Sequence, residues 1–147
     1  MKKKNKKQFE EFETFIKEVF EKKLPITVFN DGSIQYKDFA IVQDKNKNWA
    51  LYSLKNTSDV IDTFYLKATA LLAAKTYQSF NFKKYLQIKE LDHKYNQNAT
   101  DTIYFNHYRK ITNDLVKRDV FTWRYELSLG RAKRYKTEIA SLFKTNF

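Results

Sequence analysis

The sequence predicts an α+β fold, in which a small antiparallel sheet of three or four strands at about residues 26–54 packs against helices. Three observations predict it. Apolar residues recur at helical spacing before residue 24, alternate with period two between residues 26 and 54, and return to helical spacing afterwards. The length of 147 residues, with two glycines and one proline, predicts one domain, residues 1–147, without an internal linker.

The chain begins with a basic tail and a predicted helix. Residues 1–7 carry five lysines and no acid, and such a run is solvated unless a partner orders it. A helix is predicted from about Gln8 to Lys23, with glutamates on most of its polar face, and Pro25 ends it. Its apolar face consists of Phe9, Phe12, Ile16, Val19 and Phe20.

Two hairpins are predicted to form the sheet. In the first, residues 26–29 and 34–36 flank a turn in which Gly32 supplies the positive φ angle. Lys37-Asp38 interrupts the alternation and indicates a bulge or bend, and a longer loop at 44–48 predicts the second hairpin. The side chains predicted to face the helices are Ile34, Tyr36, Phe39, Ile41, Trp49 and Leu51.

The helical C-terminal half is predicted to contain three to four helices. The first, from Asp59 to Ser79, includes the longest uncharged apolar run, Ala68–Ala74, and is expected to be buried, with Asp59 as its N-cap. Asn81 is predicted to cap a helix over about 82–95. A polar break at 96–100 and a further helix from Thr100 are expected to follow.

The last helix is predicted from about Leu115 to Phe143, after a start at Asn113-Asp114. Gly130 suggests a bend or break in it. Its predicted core stripe contains Val116, Val120, Trp123, Leu127 and Gly130, with a drifted continuation at Ile139 and Leu142.

Positive charge is the feature that departs most from an ordinary domain. The net charge is +11, and residues 1–7 and 117–136 each contribute +5 of it. Lys117, Arg124 and Arg131 recur every seven residues and Arg134 follows three residues later, so on a helix they lie near one face. We call these four residues the basic strip.

Such charge predicts contacts with the phosphates of a polyanion, because each neutralised phosphate releases counterions and arginine grips phosphate oxygens with two donors. The predicted polyanion-binding residues are Lys2, Lys3, Lys4, Lys6, Lys7, Lys117, Arg118, Arg124, Arg131, Lys133, Arg134 and Lys136. The alternative is an ordinary solvated helix face, with arginines paired to Asp119, Glu126 or the glutamates of the first helix.

Aromatic residues interleave with the basic ones in Trp123-Arg124-Tyr125 and Arg134-Tyr135-Lys136, a pattern that suits stacking on unpaired bases. The position of Trp123 on the predicted core stripe favours packing instead, since aromatic residues at helical spacing are usually part of a core.

No pattern predicts an enzyme, a cofactor or a metal site. His93 and His107 are the only histidines and match no ligand spacing, and no glycine-rich phosphate loop is present. Asp31, Asp38 and Asp44, with lysines nearby, are arranged somewhat like the hairpin carboxylates of metal-dependent nucleases. They lie in predicted turns, however, where aspartate is common for backbone reasons.

The sequence predicts a cytoplasmic protein with no membrane span. It contains no cysteine, and the segment after the lysine tail is acidic and periodic, unlike a signal peptide. The longest apolar run is far shorter than the roughly 20 residues that cross a bilayer. The first helix also has the apolar face of an interfacial anchor, but its glutamates would be repelled by anionic lipid.

These observations favour a small, non-catalytic basic binding protein that contacts nucleic acid or a nucleoprotein assembly. The alternative is a structural or interaction subunit of a protein assembly, such as a phage component, that binds a protein partner or its own copies and no nucleic acid. In that case the aromatic excess, 17% of residues, would serve protein contacts.

Overall fold

A computed structural model describes residues 26–144 of the chain, apart from the side chains of residues 56–58. Within this range the fold is α+β, as predicted, with the strands preceding the helices. The lysine tail and the predicted helix at 8–23 lie outside the described residues. The strands are β1 (Ile26–Val28), β2 (Ile34–Tyr36), β3 (Phe39–Gln43), β4 (Trp49–Ser53) and β5 (Asn56–Phe64), and the helices are α1 (Lys67–Gln78), α2 (Phe82–Ile111) and α3 (Leu115–Leu142).

The described strands form one antiparallel sheet in the order β1-β2-β3-β4-β5. Both predicted hairpins are present, and Gly32 has the expected positive φ angle of 87°. The expected bend at Lys37-Asp38 is the two-residue turn between β2 and β3, next to the paired residues Tyr36 and Phe39. Asp31 and Asp44 accept backbone N–H groups within their turns, which confirms the backbone role expected of aspartate there.

One face of the sheet packs against α1. The predicted inward side chains are buried, except that Trp49 is only partly buried under the Lys67 ammonium. The whole run Ala68–Ala74 is buried, as predicted, because α1 lies between the sheet and α2. Small side chains on α1 let both neighbours approach it closely.

The predicted start of the first C-terminal helix at Asp59 is wrong, because residues 56–64 form β5. This fifth strand pairs antiparallel with β4, with register shifts between Leu51 and Ser53. β-branched and aromatic residues such as Val60, Ile61 and Phe64 suit a strand as well as a helix stripe, and the free edge of β4 decides between the two. The α-helix begins only at Lys67.

A buried carboxylate from α2 holds the turn that precedes α1. Leu66, at the N-cap position, has no side chain that can accept a hydrogen bond from the helix. Instead the Asp92 carboxylate accepts from Tyr65 N–H (3.0 Å), Leu66 N–H (3.0 Å) and the Thr69 hydroxyl (2.5 Å). Burial raises the pKa of Asp92, although these three hydrogen bonds oppose the rise. One side chain thus joins the β5–α1 turn to α2.

The predicted break at residues 96–100 is wrong, since α2 continues from Phe82 to Ile111. Asn98 does not interrupt the helix, because its amide donates to the Lys94 carbonyl one turn earlier. The predicted cap is confirmed: Asn81 accepts a hydrogen bond from Lys84 N–H. Burial of Ala99 in the middle of this stretch stabilises the helix where local propensity is weak.

Helices α2 and α3 form an antiparallel hairpin with a heptad seam. Asp114 caps α3, as predicted, by accepting from Val116 and Lys117 N–H groups. Thr102 donates to Ser128 across the helices, and the Phe105 and Phe121 rings stack. The alternating spacings of three and four residues are those of a coiled coil. The seam positions are Ile88, Asp92, Tyr95, Ala99, Thr102 and Asn106 on α2 and Phe121, Tyr125, Ser128, Ala132, Tyr135 and Ile139 on α3.

The predicted core stripe of the last helix is wrong over most of its length, and Gly130 does not break the helix. Val116, Val120 and Trp123 are exposed, with relative accessibilities of 74%, 51% and 59%. The buried side chains of α3 are Ser128, Ala132 and Ile139, of which only Ile139 was predicted to be inside. Small and polar side chains let the two helices approach each other, so the more apolar face of α3 is left outside.

We expect Asp92→Ala to lower the free energy of unfolding by about 2–4 kcal/mol, because it leaves the N–H groups of Tyr65 and Leu66 without their acceptor. Urea denaturation measures the change. Glu126→Ala removes an exposed helical carboxylate and should change stability by less than about 0.5 kcal/mol. A loss no larger in the Asp92 variant than in the Glu126 variant would show that Asp92 does not stabilise the turn before α1.

We expect Gly130→Ala to raise the free energy of unfolding by about 0.5–1 kcal/mol, because the residue is helical and exposed. A Cβ atom there would meet nothing within 4 Å. Gly32→Ala is the contrasting variant and should destabilise the protein, since its φ angle of +87° strains any other residue. Thermal unfolding of both variants tests the pair, and a destabilised Gly130→Ala variant would contradict a straightforward helical role.

Candidate nucleic-acid interface

The basic strip lies exposed along one side of α3. Lys117, Arg124, Arg131 and Arg134 all belong to this helix, and all four side chains are exposed. From Lys117 to Arg134 the strip extends about 25 Å, at 1.5 Å per residue. None of the four forms an ion pair with a carboxylate among residues 26–144. Pairing with the glutamates of the predicted first helix concerns residues outside the described range.

The other predicted polyanion-binding residues do not lie on the strip. Arg118 is one position beyond Lys117, about 100° around the helix, and its guanidinium donates to the Thr112 carbonyl (2.9 Å) at the turn between α2 and α3. Lys133 and Lys136 point about 200° and 140° away from Arg131. Lys2, Lys3, Lys4, Lys6 and Lys7 lie outside the described residues.

Two of the three acids of α3 are separated from the strip, whereas Glu138 lies four residues after Arg134 on the strip's side and forms no ion pair with a described residue. Asp119 and Glu126 each come two residues after a strip residue, which places them about 200° around the helix on the opposite side. Neither acid forms an ion pair with a described residue, so the pairing of strip arginines with Asp119 or Glu126 is absent there, whereas an ordinary solvated helix face stays the alternative prediction. On the facing side of α2, Asp101 also forms no ion pair with a described residue. The strip is a region of positive charge on an otherwise mixed helix.

Aromatic side chains of α2 border the strip on the side of the seam. The Arg124 guanidinium lies 5.1 Å from the centre of the Phe105 ring, a cation–π contact. Phe105 also contacts Tyr104 (5.2 Å), and Tyr104 contacts Tyr108 (4.4 Å between ring centres). The Tyr108 ring lies 5.9 Å from that of Phe121 on α3. These rings make a continuous cluster at the surface.

An exposed apolar row borders the strip on its other side. Trp123 is one residue before Arg124, which places it about 100° around the helix from Arg124, in the direction away from the seam. Val116 and Val120 lie beside Trp123 at helical spacing. Within the described part of the chain, the hydrophobic core includes no residue between Ala99 and Ala132. The C-terminal part of α2 and the N-terminal part of α3 therefore lie outside the core of the described structure and pack mainly against each other among the described elements.

Sequence reasoning missed this surface because it assigned Trp123 to the core. A signal was available: residues 121, 125, 128, 132, 135 and 139 follow a strict heptad spacing that competes with the apolar stripe. Their mixture of aromatic, small and polar residues conceals that spacing from a search for apolar periodicity. The remaining local aromatics have partners, since Tyr125 lies under Arg109 and Tyr135 under Arg134.

Two grooves and the arrangement of potential metal ligands describe the rest of the surface within residues 26–144. No three His, Cys, Asp or Glu side chains in this range lie close enough to hold a metal ion. A groove of about 470 Å³ between the sheet and α2 is lined by Trp49, Tyr95, Asn96 and neighbours, without a histidine or carboxylate. A second groove of about 400 Å³ includes the exposed Asp38 and Lys55, which pair at 3.8 Å.

A half-buried cluster of side chains joins β5 to α2 and shifts the pKa of the Asp62 carboxylate. Asp62 accepts hydrogen bonds from the Tyr85 hydroxyl (2.6 Å) and the Lys89 ammonium (2.9 Å). Desolvation opposes ionisation, but these donors outweigh it and lower the pKa of Asp62. Burial, with the Asp62 carboxylate, raises the pKa of Tyr85, so the phenol keeps its proton. Lys89 also donates to the Thr63 carbonyl and covers the Phe64 ring. Every group has a structural partner.

None of the helices within residues 26–144 combines the length and apolar content that a membrane-spanning helix needs. Comparison of the chain with protein-family models, with curated proteins and with solved structures finds no match.

We expect the stabilising effect of Asp62 to be present at neutral pH and lost in acid. Because folding lowers the pKa of Asp62, the stabilisation is full above the ordinary value of 3.8 and disappears as pH falls through the lowered value. Asp62→Asn should therefore unfold about 1 kcal/mol more easily than the wild type at pH 7, with the difference closing near pH 2.

Urea denaturation across this pH range checks the expectation. Asp38→Asn serves as the control, because the exposed Asp38–Lys55 pair contributes little at any pH. A difference between wild type and Asp62→Asn that stays constant down to pH 2 would show that the ionised carboxylate is not the source of the stabilisation.

Proposed function

We propose that this chain is a cytoplasmic, non-catalytic protein that binds nucleic acid, alone or within a nucleoprotein assembly, through the basic strip on α3. The observation that carries the proposal is the exposure of Lys117, Arg124, Arg131 and Arg134 on one side, without an ion pair to any described carboxylate. Solvated charges of one sign in a row attract a polyanion, and their release of counterions favours binding.

The dimensions of the strip suit a nucleic-acid backbone. Its length of about 25 Å corresponds to roughly seven nucleotides at 3.4 Å rise per nucleotide. Three of its four members are arginines, whose planar guanidinium groups bind phosphate oxygens with two parallel hydrogen bonds. In this proposal the five lysines at residues 2–7 add a second, less specific contact with the same polyanion.

A second candidate is an interaction subunit of a protein assembly that binds no nucleic acid, such as a phage component. The specific observation in its favour is the exposed apolar row of Val116, Val120 and Trp123, which lies outside the core. Large exposed apolar surface often marks a protein contact. The four positive charges beside the row favour the polyanion instead, since an apolar protein interface is usually depleted of charge at its centre.

A salt titration distinguishes the two candidates. We expect the wild-type chain to bind a fluorescently labelled oligonucleotide, with a logarithmic affinity that falls steeply and linearly with the logarithm of salt concentration. The variant Arg124→Gln/Arg131→Gln/Arg134→Gln should bind about 100-fold more weakly at 0.1 M salt, and its slope should be flatter by about two. Fluorescence anisotropy measures both quantities.

The matched control is Lys45→Gln/Lys55→Gln/Lys83→Gln, which removes the same charge from exposed positions away from the strip. It should bind with nearly the wild-type slope. Absence of binding by the wild type at low salt would refute the proposal and favour the protein-assembly candidate. Equal losses in the two triple variants would mean that net charge, and not the strip, attracts the oligonucleotide.

A further inference from the structure

We propose that the nucleic acid bound by this surface is single-stranded, with its backbone along the basic strip and its bases stacked on the aromatic rings that border the strip. This inference rests on the proposed function and adds the class of nucleic acid and the residues that select it. Unpaired bases offer flat apolar faces, which a duplex keeps inside its stack.

Aromatic rings with accessible surface lie on both borders of the strip. Trp123 is 59% exposed on the outer border, and Tyr104 and Tyr108 are 51% and 36% exposed on the inner border. The strip residues Lys117 and Arg124 lie between them on the helix surface. A chain that follows these cations therefore has a ring within reach on either side.

The two tyrosine rings are held in place before any ligand arrives. Tyr104 and Tyr108 pack against each other with ring centres 4.4 Å apart, and Tyr108 rests on Phe121 of the opposite helix. Because both helices are joined by the heptad seam, these rings lose little freedom on binding. The backbone of Trp123 lies within the regular helix α3.

Charge distinguishes a single strand from the other candidate ligands of this surface. An exposed apolar surface meant for a second copy of this chain would bring two basic strips together, and these would repel. A duplex would satisfy the cations but would leave Trp123, Val116 and Val120 against water or phosphate. A single strand complements both features, because its phosphates match Lys117 and Arg124 while its bases cover the rings.

Trp123→Ala tests the inference. The probes are a labelled oligothymidine of about 20 nucleotides, close to the site sizes of known single-strand binders, and a duplex of equal length. We expect the wild type to prefer the single strand by about tenfold or more, and Trp123→Ala to lose about tenfold in single-strand affinity. Duplex affinity should not change. Trp123→Phe, which keeps a ring, should recover most of the loss.

Phe80→Ala is the matched control, because Phe80 is an aromatic residue 78% exposed before α2, at the opposite end of that helix from the aromatic cluster. It should bind both probes like the wild type. Tryptophan fluorescence gives an independent readout: single-strand binding should quench it, and Trp123→Ala should lose the quenching although Trp49 remains.

Equal affinity for the two probes, with no effect of Trp123→Ala, would overturn the inference. If Arg124→Gln/Arg131→Gln/Arg134→Gln still bound both probes more weakly than the wild type in that case, the proposed function would stand. Only the selection of a single strand would then fail. A Trp123→Ala variant that changed the oligomeric state in light scattering, without changing single-strand affinity, would assign the aromatic surface to a second copy of the chain and also overturn the inference.

Discussion

The Asp92 carboxylate connects the two halves of the described structure. It is 1% exposed, and it accepts three hydrogen bonds from the segment that links β5 to α1. A buried carboxylate without donors is costly, so the turn, α1 and α2 must meet in one arrangement. That arrangement sets where α1 begins, since Leu66 provides no cap of its own. It also fixes the first half of α2 against the sheet side of the molecule.

The two halves of α2 therefore pack against different neighbours. Residues near Ile88 and Asp92 pack into the core with α1, whereas beyond Ala99 the contacts of α2 with other described elements are mainly those with α3. The seam there combines small and polar residues with partly buried rings: Thr102 bonds Ser128, and Arg109 donates to Asn106 and covers the Tyr125 ring. Such a seam holds two helices together at short range without drawing their apolar faces inward.

The surface chemistry of α3 follows from that seam. Because small and polar residues occupy the inside, the apolar row with Trp123 and the basic strip are both left facing out, side by side. The acids Asp119 and Glu126 lie on the far side. A helix with this distribution suits a ligand that carries negative charge and flat apolar groups together, and the proposals on nucleic acid depend on that coincidence.

The sequence by itself determined the features that depend on near neighbours along the chain. Turn chemistry at Gly32 and Asp44, the caps Asn81 and Asp114, the alternating strands and the buried alanine run of α1 were all predicted correctly. The concentration of positive charge in 117–136 was also visible, although its division between two sides of α3 was not.

Tertiary structure decided the features in which local patterns compete. The residues of β5 suit a helix until β4 offers an edge, and the polar stretch at 96–100 suits a loop until Ala99 is buried. In α3, the apolar stripe and the heptad seam are both periodic, and packing against α2 selects the seam. Each choice depends on a partner distant in sequence. For that reason the exposure of Trp123, on which the candidate site depends, was not predicted from the order of residues alone.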